Sequence, residues 1–420
     1  MRIAARGVAA IATAALATAA LSTAVPASAA TGVRITMPEL SGSHAVGTVE
    51  LHLVDRRPDP WQPARAREVM ATVSYPTDHR ANDHRAAADR APWMTPGVAA
   101  AVDAVAASPD SLGLPPGSVD WGSTRRHART GAPARGHWPV VLFSPGFGSA
   151  RELNAGLVDD LASRGYVVVS VSHTHESLAV EFPGGRVEPP LADPAEPTTL
   201  KTAIDVRVGD TRFVLDQLAL IARGQNPDAE RDPLPRGLDR ALDLSRVGAF
   251  GHSYGGYTAG ETMVHDRRVD AGINVDGAMG HGEGRPGEVV TRGLDRPFML
   301  VGADFVDPDT GLVVEHSHRT PEFDRTWADF WPNQRGWKRD LHLDRSTHYS
   351  FTDLQFAVPQ VGDLLSPEER REAVGAIDPT RSLAAQHDYF AAFFDLHLKG
   401  RDTRLFRGDP PRHPDVRFIR

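Results

Sequence analysis

Apolar positions along this chain follow two periods, and the switches between them mark its elements. Within a stretch of short alternating runs (31–55), Thr48-Val49-Glu50-Leu51-His52-Leu53 repeats with period two and predicts a half-buried strand. "REVMATVSYP" (67–76) predicts a second strand, stopped by Pro76. Residues 77–137 lose the pattern and are rich in Arg, Ala, Pro and Gly. One helix is expected near 97–107, and the rest reads as an irregular excursion over the same domain. From 138 the order returns. "WPVVLFSPGFG" (138–148) is a β-branched and aromatic run ending in a glycine-bearing loop. "ELNAGLVDDLASRG" (152–165) puts Leu153, Leu157, Val158 and Leu161 on one helical face, with Gly165 where a C-terminal cap belongs. "YVVVSVSHTHES" (166–177) reads as a buried strand and 178–200 as a Pro-rich loop. Residues 207–222 repeat Val208, Thr211, Val214, Leu215, Leu218 and Ile221 at helical spacing.

Further on, "RVGAFGHS" (246–253) is a short strand and "GGYTAGETMVHD" (255–266) a helix. "DAGINVDG" (270–277) and "RPFMLVGAD" (296–304) are strands, and one more lies within 339–353. A long helix, 382–400, ends at Gly400. Strand and helix alternate from 138 to the end, which predicts an α/β fold: a mostly parallel sheet with helices on both faces. Residues 30–137 are expected to pack on that same domain, with 138–420 as its core.

Inside "VGAFGHSYGGYTAG" (247–260), the run Gly251-His252-Ser253-Tyr254-Gly255 fits G-x-S-x-G. With 38 glycines in 420 residues, roughly 0.2 matches arise by chance, so the spacing alone is weak. Its context is stronger: a buried strand runs in and a helix with small residues Gly255, Gly256 and Ala259 runs out. That turn would hold Ser253 in strained geometry, with glycines at 251 and 255 removing Cβ clashes. A serine hydroxyl needs a histidine to take its proton and a carboxylate to orient that histidine. Among later histidines, His281, His316 and His318 fall in loops and His342 in a strand. His348 lies just beyond the last core strand and is the expected base. Asp276 and Asp304 each end a strand at the edge where parallel strands deliver side chains; the pattern prefers neither as the acid. Two backbone N–H donors should face the developing oxyanion. One is expected from Tyr254, the other from Phe147 in the "FSPGFG" loop.

Composition narrows the classes. The chain has no cysteine, which excludes thiolate nucleophiles and thiolate metal sites. Its net charge of −8 argues against a nucleic-acid or anionic-membrane surface as the main partner. Arg2 and Arg6, an uncharged run from Gly7 to Leu21, and Ala27-Ser28-Ala29 predict a secretory signal over 1–29 and an exported product. His173-Thr174-His175-Glu176 and His316-Ser317-His318 have ligand-like spacing, but no third ligand is predictable nearby, so no metal or other cofactor is expected. Phe390, Phe393 and Phe394 read as core of the last helix; Trp327, Phe330 and Trp331 either pack or line an acyl pocket.

Together, "LFSPGFG", "GHSYGG", "INVDG" and "STHYSFTD" resemble the α/β-hydrolase group containing plasma-type platelet-activating factor acetylhydrolase and bacterial secreted esterases and lipases. The resemblance covers roughly residues 45–405. It implies an α/β-hydrolase fold and a serine carboxylic-ester hydrolase for short-chain or small lipid esters, with at most transient contact with a lipid surface. It also implies Ser253, Asp276 and His348 as the triad and a histidine near the pocket in "SVSHTHES". The related cutinase-like polyesterases would instead favour Asp304 as the acid. The N-terminal part and the 77–137 excursion depart from the mammalian members, which puts phospholipid as substrate in question. A hydrolase-fold protein that binds a ligand without turning it over is the alternative from another class.

Overall fold

The computed structural model describes residues 32–78, 90–282, 284–307, 310–408 and 412–420. The expected signal over 1–29, and part of the 77–137 excursion, lie outside them. In chain order the elements begin with strands β1 (Ala45–Pro58), β2 (Ala66–Thr77) and β3 (Arg90–Pro92), helix α1 (Pro96–Ala106), and strands β4 (Arg125–Thr130) and β5 (Trp138–Ser144). Helix α2 (Ala155–Ser163), strand β6 (Val167–Ser172), a small hairpin β7 (Val180–Phe182) and β8 (Arg186–Glu188), and helices α3 (Thr199–Ala222) and α4 (Leu238–Ala241) follow. Around Ser253 lie β9 (Leu242–His252), α5 (Tyr254–His265) and β10 (Val269–Val275). After it come α6 (Glu288–Arg292), β11 (Phe298–Gly302), the hairpin β12 (Asp304–Val306) and β13 (Val313–Glu315), and α7 (Arg325–Asn333). The chain closes with β14 (Lys338–Leu343), α8 (Leu354–Gln360), α9 (Pro367–Val374), α10 (Pro379–Leu398) and β15 (Val416–Phe418).

Eleven strands form one sheet in the order β15-β14-β11-β10-β9-β5-β6-β2-β1-β4-β3. The central run from β14 to β6 is parallel throughout. β2 then pairs antiparallel with β6, and β1 antiparallel with β2. β15 caps the other edge, antiparallel to β14. Because side chains alternate along a strand, β5 divides its residues between two cores. Val140 and Leu142 face α3, α5 and α7 with Ile204, Leu215, Tyr257 and Trp327. Val141 and Phe143 face α2 and α10 with Leu161, Phe250, Phe390 and Phe393. The phenylalanines of α10 are therefore core, and so are Trp327 and Phe330, each fully buried; neither of the latter lines an open acyl site.

The sequence pattern missed several pieces. β4 lies inside the 77–137 excursion, and "RRHART" reads as polar; yet Arg126 is buried in it, paired with Asp159. The Pro-rich loop contains the β7–β8 hairpin. Among the described residues no helix is long and apolar enough to cross a membrane.

Candidate active site

The C-terminal ends of β5, β9, β10, β11 and β14 all point to one edge of the sheet, where open α/β sheets place their sites. Ser253 follows β9 directly, with φ 56° and ψ −126°, a strained conformation for a residue with a Cβ. The bend is possible because its neighbours have no side chains. A Cβ on Gly251 would come within 2.2 Å of the Gly255 carbonyl carbon, and one on Gly255 within 1.9 Å of the Ser144 oxygen. A Cβ on Gly256 would meet Asn274 Oδ1 at 1.9 Å, so the close approach of α5 to β10 at this point also requires glycine.

Asp276 follows β10 in the same way, at φ 57°. Asn274 closes this turn: its Oδ1 accepts from the Gly277 N–H at 3.0 Å and its Nδ2 donates to the Gly277 oxygen at 2.7 Å. Both bends hang on the next strand of the sheet. Ser253 N–H donates to the Val275 oxygen at 2.7 Å, and Asp276 N–H to the Val301 oxygen at 2.8 Å. The ladder of backbone bonds thus runs past the strand ends into the site itself.

His348 opens a short 3₁₀ turn (His348–Phe351) beyond β14. Thr347 and Ser350 brace each other across that turn, with Thr347 N–H donating to Ser350 Oγ at 2.8 Å. His348 Nδ1 donates to Asp276 Oδ2 at 2.6 Å. His252 packs its ring 4.3 Å from that of His348 and bonds the His348 carbonyl through Nε2 at 2.9 Å. A carbonyl only accepts, so Nε2 carries the proton. Burial, with the nearby His348, lowers the His252 pKa to about 3, which keeps this contact neutral. The structure therefore joins Asp276 to His348 and brings Ser253 to the same edge. Among the described residues, Ser253 Oγ and the His348 ring form no hydrogen bond; before substrate binds, such contacts are often long.

Asp304 is engaged elsewhere. Its carboxylate takes His342 Nε2 at 2.7 Å and the Arg345 N–H at 2.7 Å. The loop Pro145–Gly148 lies over the serine: a Cβ on Gly146 would be 3.2 Å from Ser253 Cβ and 3.7 Å from its Oγ. Neither the Phe147 nor the Tyr254 N–H has a protein partner among the described residues. The two rings meet edge to face at 5.8 Å.

Two buried histidines, His316 and His173, make contacts that the sequence pattern did not specify, although the resemblance implied a histidine near the pocket in "SVSHTHES". His316 donates Nδ1–H to Asp276 Oδ1 at 2.8 Å and Nε2–H to Asp324 Oδ2 at 2.9 Å, and its ring stacks on Trp327 at 3.9 Å. Burial would lower its pKa, but the two carboxylates outweigh that and raise it to about 10. Asp276 is accordingly held well below the usual carboxylate range: burial pushes it up, and the hydrogen bonds from His316 and His348 overcome that. Ala303 N–H, at 3.0 Å, completes its shell. His173 sits beneath the Pro145–Gly148 loop, between Ser144 Oγ at 3.2 Å and Asp210 Oδ2 at 3.0 Å. Both nitrogens of His316, and Nδ1 of His318, are taken by carboxylates, which accounts for their ligand-like spacing. Glu261, His265 and Glu288 bring one potential ligand atom each within 4.8 Å of one another. Glu261 and His265 lie in the C-terminal half of α5, while Ser253 caps its N-terminus, and both Glu261 oxygens already accept N–H groups of α6.

Comparison with known proteins places the chain by sequence and by fold. Residues 29–188 match the family model "Platelet-activating factor acetylhydrolase, isoform II", a span that holds the Phe147 loop and ends before Ser253. The chain is 29% identical over 297 residues to a probable 1-alkyl-2-acetylglycerophosphocholine esterase of Arthroderma benhamiae, covering 67% of this chain and 66% of that one. It is 24% identical over 279 residues to the platelet-activating factor acetylhydrolase of Cavia porcellus, covering 61% and 59%. The chain thus spans under two thirds of the length of these curated relatives. A solved ferulic acid esterase from Streptomyces cinnamoneus superposes with a TM-score of 0.71 at 35% identity, covering 92% of this chain and 99% of that one. The chain belongs to the α/β-hydrolase family of carboxylic-ester hydrolases that includes the platelet-activating factor acetylhydrolases and bacterial esterases.

Proposed function

We propose that this protein is an exported serine esterase acting on small carboxylic esters, with Ser253, His348 and Asp276 as its triad. The observation that carries the proposal is the 2.6 Å contact of His348 with Asp276, on the edge where Ser253 stands at φ 56°. Ser253 Oγ attacks the ester carbonyl while His348 Nε2 takes its proton. The Asp276 carboxylate holds Nδ1–H and stabilises the imidazolium. The Phe147 and Tyr254 N–H groups receive the oxyanion. Collapse of the intermediate breaks the C–O bond, and His348 returns the proton to the leaving alcohol. Water then attacks the acyl-enzyme with His348 as base, releasing the acid and restoring Ser253. Asp304 does not serve as the acid in this scheme, because His342 and Arg345 already hold it.

The test is turnover of p-nitrophenyl acetate by wild type and Ser253→Ala. Loss of about 10⁴-fold or more is expected, in line with removal of a triad nucleophile. Equal rates in folded protein, with no labelling of Ser253 by a fluorophosphonate, would establish the non-catalytic binding alternative. A second reading concerns the acyl group. The relative aligned over 99% of its own length is a ferulic acid esterase, which favours an aromatic acyl chain over an acetylated ether phospholipid. A panel of acetyl to octanoyl esters, methyl ferulate and a 2-acetyl ether phospholipid separates these.

A further inference from the structure

Arg207 lies on the buried stripe of α3, and its side chain is fully enclosed. A guanidinium has five N–H donors, and here each has a partner. Nε donates to Glu176 Oε2 at 2.5 Å, and Nη2 completes the fork onto Glu176 Oε1. The remaining three go to the site. Nη1 donates to the Pro145 oxygen at 2.7 Å and to Thr258 Oγ1 at 3.3 Å, and Nη2 to the Gly146 oxygen at 3.1 Å. Thr258 is on α5, one turn after Tyr254, and its hydroxyl donates in turn to the Tyr254 oxygen at 2.8 Å. The guanidinium carbon also sits 5.2 Å from the centre of the Tyr254 ring.

The Gly146–Phe147 peptide is trans. In a trans peptide the C=O and the following N–H point to opposite sides of the same plane. Fixing the Gly146 oxygen on Arg207 therefore turns the Phe147 N–H away from Arg207. The same bond polarises that peptide and strengthens its N–H as a donor. Within the loop, the Gly146 oxygen also accepts the Ser149 N–H at 3.1 Å, which closes the turn; with glycine at 146 and 148, the contacts to Arg207 are what tie that turn to α3 and α5. We infer that Arg207, held by Glu176, is the positioning residue of the oxyanion hole, aiming the Phe147 donor and tying its loop to the nucleophile helix.

This inference rests on the ester-hydrolase reading of Ser253, and the experiment separates the two. Removing the arginine alone would strand a buried carboxylate, so the main variant is Arg207→Met with Glu176→Gln. Arg207→Lys is the second; an ammonium has three donors for the five positions. Turnover and KM for p-nitrophenyl acetate are measured with wild type and both variants, along with the inhibition constant of an aryl trifluoromethyl ketone, whose serine adduct carries an oxyanion. Folding is checked by circular dichroism and Tm. The turnover number should drop by about two to three orders of magnitude, the usual cost of one oxyanion donor, with KM changed less than about fivefold. Ketone affinity should fall alongside it, an effect that simple loosening of the core would not produce selectively. A folded variant with turnover within about threefold of wild type, or with turnover lost and ketone affinity unchanged, overturns the inference. If the double variant does not fold, Arg207→Lys decides by the same thresholds. Ester turnover by wild type that vanishes in Ser253→Ala keeps the underlying reading intact in either case.

Discussion

Replacing Asp276 by asparagine removes one charge and almost no volume, and the surrounding donors dictate how the new amide must sit. On the Oδ1 side, the Ala303 N–H at 3.0 Å and His316 Nδ1–H at 2.8 Å both donate. His316 also donates to Asp324 at 2.9 Å, so it cannot reverse its role without stranding that carboxylate. The amide oxygen must therefore take the Oδ1 position, leaving the NH₂ facing His348 Nδ1, where the carboxylate accepts at 2.6 Å. Nδ1 is then forced to accept, the ring proton moves to Nε2, and the imidazole no longer has a lone pair for the serine. This wrong-tautomer state lowers turnover about 10⁴-fold where an equivalent change has been made, or about 5.5 kcal/mol at 1.36 kcal/mol per decade. Asp304→Asn is the matched control. It disturbs contacts to His342 and Arg345, so a stability loss of about 1–2 kcal/mol is expected, with activity within about tenfold. The assay is kcat/KM for p-nitrophenyl acetate on the pH plateau, with Tm measured in parallel. A larger activity loss in Asp304→Asn than in Asp276→Asn, or more than about one per cent activity left in the latter, would refute the reasoning.

Three other outcomes follow from the same geometry. Gly255→Ala should yield no folded, soluble protein, because its Cβ would stand 1.9 Å from the Ser144 oxygen in a fixed backbone; near-wild-type expression and Tm would contradict the tight elbow. His316→Gln should lower kcat/KM by about tenfold or more while leaving the fold intact, since Asp276 keeps only His348 and Ala303 as donors and its orientation loosens; the readout is the same ester assay. Stability against pH should show His316 directly. Its pKa is raised to about 10 from 6.5, so its contribution, on the order of 5 kcal/mol, is complete below pH 6.5 and drains away as pH rises through 10. Denaturant titrations of wild type should decline over that window and those of His316→Gln should be flatter there; at the acid end, the contribution of the depressed Asp276 is lost as pH falls below 3.8.

The parts of this molecule that could be read from the chain are those whose signal is local. The turn at Ser253 needs small neighbours within a few residues, and His348 sits in a short run after a strong strand. The parallel centre announces itself through continuous apolar runs such as those at 138–144 and 246–252. What stayed hidden depends on partners far away in sequence. β4 is a strand through pairing with β1 and β3, and it buries Arg126 against Asp159; "RRHART" on its own looks solvated. β15 has three residues and owes its existence to pairing with β14. His316 reads in the sequence as one of two histidines in a polar loop; its place in the site comes from Asp276 and Asp324 on other elements. Arg207 was the one concealed residue with a visible trace. It occupies the apolar stripe shared with Thr211, Val214, Leu218 and Ile221, where a charged side chain demands a buried counter-ion. Glu176, in "SHTHES", supplies it.

The ladder that continues past the ends of β9 and β10 bears on how the enzyme can move. Amide protons at Ser253 and Asp276 are locked into the same network as the sheet centre, so deuterium should enter there only when the whole domain opens. On the proposed mechanism, the bends at Ser253 and Asp276 would then stay fixed through the turnover cycle. Admission of ester and departure of acid would then fall to movement elsewhere around the site, such as the Pro145–Gly148 loop that lies over Ser253, and such movement would limit throughput once chemistry is fast.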